Sequence, residues 1–310
     1  MHMRKGIFLF LILIVVFACD KTPSIEENSS GMLRINGTDL FYKTIGQGEP
    51  LIIVHGGPVL DHSYFLPQLE SLSENYQLIF YDQKVSGRSS IEVDSATMTL
   101  DGFAEDIESI RKAFKLDKVN LLGHSWGGLI AMTYAIKYNE HLNKLILSNS
   151  IAPNVSEWQM EGQVVSQKAT ENDFLERQAI MTSGALQGED PTEAIKKLLR
   201  ISFRPQMADT TKLNELNLYV PKDYLQRSGL FGLLAPDLTD FDLYPEINKI
   251  TCPTLVLYGN REPSVYLHAT KMAEAFPKGE LRVIDGAGHF PFIEKPDEFN
   301  SAVLAFLNRK

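Results

Sequence analysis

Two cysteines in 310 residues, Cys19 and Cys252, are too few for a disulfide framework, and neither stands in a Cys/His cluster with metal-ligand spacing. Lysine and arginine never gather into a run, and 30 of them face 39 aspartates and glutamates, for a formal charge of −9. That balance excludes nucleic acid as a partner, because nucleic acid is held by clustered positive charge. The apolar run at residues 7–17 has eleven members, short of the roughly 20 that a membrane-spanning helix needs. Internal repeats and low-complexity tracts are missing too. What is present is enough apolar residue, 44% against 22% charged, to offset the cost of ordering a chain, so intrinsic disorder is excluded over most of it. The length suits one large α/β domain with an insertion better than two independent domains.

The first residues read as an address. Arg4 and Lys5 precede the apolar run, as in a secretory signal. Val16-Phe17-Ala18-Cys19 resembles the bacterial lipobox, in which cleavage exposes a cysteine that carries lipid. The expectation is a signal peptide at 1–18, lipidated Cys19 and a flexible tether at 19–31; an uncleaved anchor is the alternative. Either places the folded part outside the cytoplasm, with membrane contact only through its N-terminus. Asp20 resembles an inner-membrane retention signal, which leaves the leaflet open.

From residue 32 on, two periodicities alternate. Residues 32–35 and 40–45 flank Asn36-Gly37, a two-residue hairpin signal. Residues 51–55, 77–81, 119–123 and 144–148 are continuous apolar runs, as expected of strands covered on both faces. Helical spacing at 100–114 and 129–138 lies between them. After Pro153 the pattern turns polar, helix-prone and irregular, then resumes with strands at 254–258 and 281–284, a helix ending near 275 and a last helix at 296–307. The fold class expected is α/β: a mainly parallel central sheet with helices on both faces, built from 32–152 and 246–310, with an inserted helical lid at 153–245.

Gly123-His124-Ser125-Trp126-Gly127-Gly128 follows a strand and opens a helix, the context that G-x-S-x-G requires. Ser125 belongs on a sharp bend that lifts its hydroxyl clear of the sheet, and the flanking glycines leave room for that bend. A serine nucleophile needs a base, and the base an orienting acid, in the order Ser, acid, His. His289, in Gly286-Ala287-Gly288-His289-Phe290, is the histidine placed after the last strand. His55 and His124 are expected to make structural hydrogen bonds. His62 is a loop or helix-start residue, and His141 and His268 are expected on the surfaces of helices. Glu262, three residues past Gly259, is the acid expected; Asp285 is the alternative. His55-Gly56-Gly57-Pro58 follows the first long buried strand, and Gly57 N–H pairs with Trp126 N–H as an oxyanion hole.

These motifs together resemble the α/β-hydrolase fold and, within it, the proline iminopeptidase family. The resemblance runs from Met32 to Lys310 and rests on His55-Gly56-Gly57-Pro58-Val59, on Asp82-Gln83-Lys84-Val85-Ser86-Gly87-Arg88-Ser89, and on Gly123 to Gly128. Asp240-Phe241-Asp242, leading into Ile250-Thr251-Cys252-Pro253-Thr254, resembles the family's return from lid to core, which makes Cys252 a small core residue. Val59 stands for a glycine, Lys84-Val85 for Arg-Gly, and Glu262 for aspartate. The first change narrows the space near the substrate carbonyl or shifts the loop. Asp82 and Arg88 are expected to brace their loop.

The resemblance implies a serine peptidase, an aminopeptidase releasing N-terminal proline, with no cofactor and no metal. It further implies lid glutamates that receive the substrate's amine. Glu157 and Glu161, four apart and flanking Trp158, are the candidates. An esterase or lactonase would instead use an apolar lid interior, which Leu225, Leu230, Phe231, Leu233 and Leu234 could supply. A non-catalytic protein of the same fold is the third reading. The partner expected in each catalytic case is a small peptide or acyl substrate.

Overall fold

The computed structural model describes residues 27–57 and 59–309. The signal at 1–18, Cys19, most of the tether and Pro58 lie outside them. Eight strands form one sheet: β1 (Ser29–Ile35), β2 (Thr38–Ile45), β3 (Glu49–Val54), β4 (Tyr76–Tyr81), β5 (Val119–His124), β6 (Leu142–Ser148), β7 (Thr254–Gly259) and β8 (Gly279–Ile284). Their order is β1-β2-β4-β3-β5-β6-β7-β8, antiparallel at β1-β2 and β2-β4 and parallel from there on. Asn36 and Gly37 turn the first hairpin with φ of 47° and 85°, the left-handed pair a type I′ turn demands. Residues 29–31, expected in the tether, instead extend β1 and pair with Thr44, Lys43 and Tyr42.

Strand pleating explains the unbroken apolar runs. Ile52 and Val54 point into one core layer, while Leu51 and Ile53 point into another. The first layer packs under α1 (Leu100–Ala113) and α2 (Trp126–Lys137), the second under Tyr64, Phe65, Phe292 and the helix Pro296–Leu307. With both faces covered, neither parity of the strand can be polar. Thr99 caps α1 by accepting from Gly102 N at 2.9 Å, and Arg111 and Lys112 close its last turn.

Register then places the loops. The pairing Val54↔Gly123 ends β3 and β5 side by side, so residues 55–57 emerge next to Ser125. The end of β7 lies beside the end of β8 through Gly259↔Ile284, which brings the loops carrying Glu262 and His289 together. All four loops leave the carboxyl ends of parallel strands, where open α/β sheets place their ligands.

Between β6 and β7 the chain runs through α3 (Val155–Gln167), α4 (Glu171–Thr182), α5 (Thr192–Phe203) and α6 (Tyr224–Phe231), then three short helical turns. It leaves and returns through a narrow neck, where Val155 N donates to Phe241 O at 3.0 Å and Leu243 N to Pro153 O at 2.8 Å. Of the five apolar residues expected inside this segment, Phe231 and Leu234 are buried and Leu230 half-buried, but Leu225 and Leu233 are exposed. They fall on the outer side of α6 and the turn after it, so the lid interior is narrower than its composition suggests. No helix among the described residues is long and apolar enough to cross a membrane.

Lys84, in place of the resembled family's arginine, is buried and paired with buried Asp106 at 3.0 Å. Its ammonium also donates to Thr97 O at 3.0 Å and Gly102 O at 3.2 Å. Burial pushes the Asp106 carboxyl up to about 6, with Lys84 opposing. Removing one partner of such a pair leaves an uncompensated buried charge. Lys84→Met should therefore lower the unfolding free energy by about 3–5 kcal/mol in urea titrations at pH 7.5.

Candidate active site

Ser125 sits between β5 and α2 with φ 55° and ψ −123°, a conformation that costs a non-glycine residue energy and persists only where its surroundings enforce it. They do. Ser125 N donates to Ser148 O at 3.1 Å, and Gly128 N donates to Ser125 O at 2.9 Å. A Cβ on Gly127 would lie 2.2 Å from Val54 O, and one on Gly123 would lie 2.5 Å from Gly127 O. Only bare backbone lets helix and sheet close around the bend. Trp126 is the first residue of α2, so its N–H has no partner inside the helix.

Ser125, Trp126, Gly57 and His289 line one cavity of about 280 Å³. His289 Nδ1–H donates to Glu262 at 2.8 Å, leaving Nε2 as the ring's unprotonated nitrogen. Glu262 is fully buried; Asn149 donates to it at 3.5 Å and Ser264 at 3.4 Å. Asp285, the alternative acid, is exposed and bonds Asn260 instead. Burial pulls the His289 imidazole down, but the charge and hydrogen bond of Glu262, with help from Glu161 and Glu294, more than offset this and hold it above the usual 6.5.

Buried side chains bind these loops to one another: His124 and His55, as expected of structural histidines, with Gln83 and with Tyr64, which sequence reasoning missed. His124 Nε2–H donates to His289 O at 2.8 Å, so its Nδ1 must accept, and it does, from Tyr64 Oη at 2.8 Å. Tyr64 Oη accepts in turn from Gly56 N at 2.6 Å. This chain runs from the glycine loop through the residue before Ser125 to the loop that carries His289. Burial keeps the His124 imidazole far below its ordinary range, and so uncharged. On the other side Gln83 N donates to His55 Nε2 at 3.0 Å, Gln83 Nε2 donates to His55 O at 2.6 Å, and Trp126 Nε1 donates to Gln83 Oε1 at 2.9 Å. Glu294, also unforeseen, accepts from Gly288 N, Ala208 N and Asp209 N, each at 2.7 Å, and thereby fastens the histidine loop to the lid.

The two lid glutamates part company. Glu161 is buried and lines the cavity; among the described lining residues it carries the one carboxylate. Glu157 does not reach the cavity. One helical turn away, it is held by Lys271 and by Tyr244 Oη at 2.7 Å. Trp158, Ile151, Val165, Phe231 and Leu238 make most of the remaining wall apolar, with Gln206 a polar exception. His268, expected on a surface, is buried beneath Glu161, because its helical turn packs against α3.

Val59 is buried in the core and does not line the cavity, so it neither narrows the space at the carbonyl nor displaces Gly57 from the wall. Val59 and Val85 keep φ of 60° and 56°. Asp82 accepts from His62 Nδ1 at 2.6 Å and from Arg88 N at 2.8 Å, and Arg88 reaches Asp61. Asp61, His62 and Asp82 form a buried group of metal-ligand type, but those bonds already take up their ligand atoms. Cys252 is buried, and its thiol is pushed up to about 11 by burial, far from a reactive thiolate.

Tyr64→Phe would strand two buried polar groups, Gly56 N–H and His124 Nδ1, at about 1–3 kcal/mol each. The expected result is a fall of about tenfold or more in kcat, with retained far-UV circular dichroism, measured on whatever ester substrate the wild type turns over.

Residues 49–296 match the family model described as "alpha/beta hydrolase fold". The proline iminopeptidase of Heyndrickxia coagulans is 26% identical over 293 residues, covering 90% of this chain and 99% of the relative. That of Saccharolobus solfataricus is 27% identical over 301 residues, covering 92% and 93%. The crystal structure of a proline iminopeptidase-related protein from Thermus thermophilus superposes with a TM-score of 0.69 at 23% identity, over 91% of this chain and 99% of that one. The chain belongs to the α/β-hydrolase fold family.

Proposed function

We propose that the chain is a serine hydrolase working through an acyl-enzyme, and that it releases N-terminal proline from short peptides. The observation that carries the first half is the meeting of a strained Ser125 and a Glu262-bonded His289 on one cavity wall. His289 Nε2 takes the Ser125 proton as Oγ attacks the carbonyl carbon. Gly57 and Trp126 N–H groups receive the developing oxyanion, and imidazolium returns its proton to the leaving nitrogen. Water, deprotonated by His289 Nε2, then attacks the acyl carbon, and the imidazolium returns that proton to Ser125 Oγ as the acid leaves. Each proton passes between substrate, water, Ser125 and His289, and the scheme calls on no cofactor.

The second half is supported by Glu161 and by the wall around it. A carboxylate in an apolar, enclosed space favours a cationic partner far more than one in water. The cavity is smaller than typical drug-sized sites of about 300–1,000 Å³, which suits one small terminal residue. The likeness to the two proline iminopeptidases points the same way. Cys19, read as a lipid carrier, would put this activity outside the cytoplasm; Cys19→Ser should then lose metabolic palmitate label in a lipoprotein-processing bacterium.

Ser125→Ala should lose fluorophosphonate labelling and at least about a thousandfold in rate on L-prolyl-p-nitroanilide and on short p-nitrophenyl esters. Full activity in that variant would overturn the mechanism, and wild-type preference for the esters alone would overturn the proline reading. Because His289 must be neutral to act as base, kcat/KM should rise with pH and fall away below a midpoint above 6.5. Glu262→Gln removes the charge that holds the midpoint up. Its acid limb should move to lower pH while the plateau drops about 10,000-fold.

A further inference from the structure

Glu161 Oε2 lies 3.3 Å from His268 Nε2, and both side chains are nearly inaccessible to solvent. Glu161 comes from the middle of α3, in the lid. His268 comes from the core, on a π-helical turn, Val265–Ala269, that starts three residues after Glu262. Such widened turns recur at functional sites. The partner of each ring nitrogen assigns the tautomer. Among the described residues Nδ1 is buried with no hydrogen-bond partner, whereas Nε2 faces a carboxylate oxygen, which can only accept. Nε2–H therefore donates to Glu161.

One turn back along α3 the arrangement is the opposite. Glu157 meets Lys271, a full cation, and is turned away from the cavity. The two carboxylates thus differ in partner and place: Glu157 meets a lysine away from the cavity, while Glu161 meets an imidazole through one oxygen and lines the cavity.

We propose that His268 is a positioning residue for Glu161: it fixes one carboxylate oxygen through Nε2–H and so turns the other toward a cationic nitrogen next to the carbonyl that Ser125 attacks. This rests on the amine reading of Glu161 given above. It adds that discrimination between a charged and an uncharged acyl group is set from the core, by the same segment that carries the acid of the triad.

The test uses 2-naphthyl esters of L-proline and of cyclopentanecarboxylic acid, the same ring with CH₂ in place of NH₂⁺, at pH 7. Active sites are counted by fluorophosphonate titration, so misfolded protein does not enter the rates. The readout is the ratio of kcat/KM for the two esters. Glu161→Gln should lower the wild-type ratio by about 10- to 100-fold, the range for a hydrogen bond to a charged group. His268→Leu should lower it by about tenfold, through KM for the proline ester, and His268→Gln, which restores an N–H donor, should recover most of that loss. An unchanged ratio in His268→Leu, an equal loss on both esters, or no recovery in His268→Gln would overturn the role of His268 while leaving the amine reading intact. A wild-type ratio near one, unmoved by Glu161→Gln, would overturn the amine reading itself and this proposal with it.

Discussion

Everything at the carboxyl edge of this sheet depends on one backbone bend. Ser125 adopts a left-handed φ that would cost about 1–3 kcal/mol in isolation. It is held there by bonds at both of its own peptide groups and by contact between bare glycine backbone and β3. Relaxing the bend would return Oγ toward the sheet and withdraw the Trp126 N–H from the cavity. The parallel register Val54↔Gly123 belongs to the same constraint, since it sets residues 55–57 against the bend. Ser125 and the backbone N–H groups of Gly57 and Trp126 are thus one structural unit, spread over two strands.

The histidines show how burial divides labour among identical side chains. His55 is pushed down to about 4 by burial, and the same cause holds His124 well below its ordinary range. Both remain neutral and serve as two-ended connectors, one nitrogen accepting and the other donating. His289 is equally enclosed but faces Glu262, and that carboxylate reverses the direction. What sets His289 apart from these connectors is chiefly the buried carboxylate 2.8 Å away, with Glu161 and Glu294 adding to it, not the exposure of the ring.

Much of this was legible in the sequence because it is local. Strand runs, the Asn36-Gly37 hairpin and the glycines around Ser125 answer to neighbours within a few residues. The order of nucleophile, acid and histidine follows from the order of the parallel strands. Tyr64, Gln83 and Glu294 were not legible as partners. Each acts on backbone groups of a distant loop, and a tyrosine that joins residue 56 to residue 124 leaves no periodic trace. The lid was harder for the same reason. Glu157 and Glu161 share a helix and a spacing, and only the packing of α3 against the turn at 265–269 separates an ion-paired residue from one in the cavity wall. His268 looked like a surface residue because a π turn shifts helical phase, which a 3.6-residue reading cannot register.

Val59 and Val85 make the relation between propensity and context most concrete. Both stand where the resembled family has glycine, both keep a left-handed φ, and both are buried in the core. A β-branched residue in that region is a genuine outlier, at about 1–3 kcal/mol of strain. Burying a valine side chain returns about 1.5–3 kcal/mol, so the two effects nearly cancel at each site. The loop conformation then costs little more than it would with glycine, provided that its ends are fixed. They are: His55 is tied to Gln83, Gly56 to Tyr64, and Asp82 to Arg88. Hydrogen bonds at the ends of these loops, rather than freedom within them, hold Gly57 in the cavity wall.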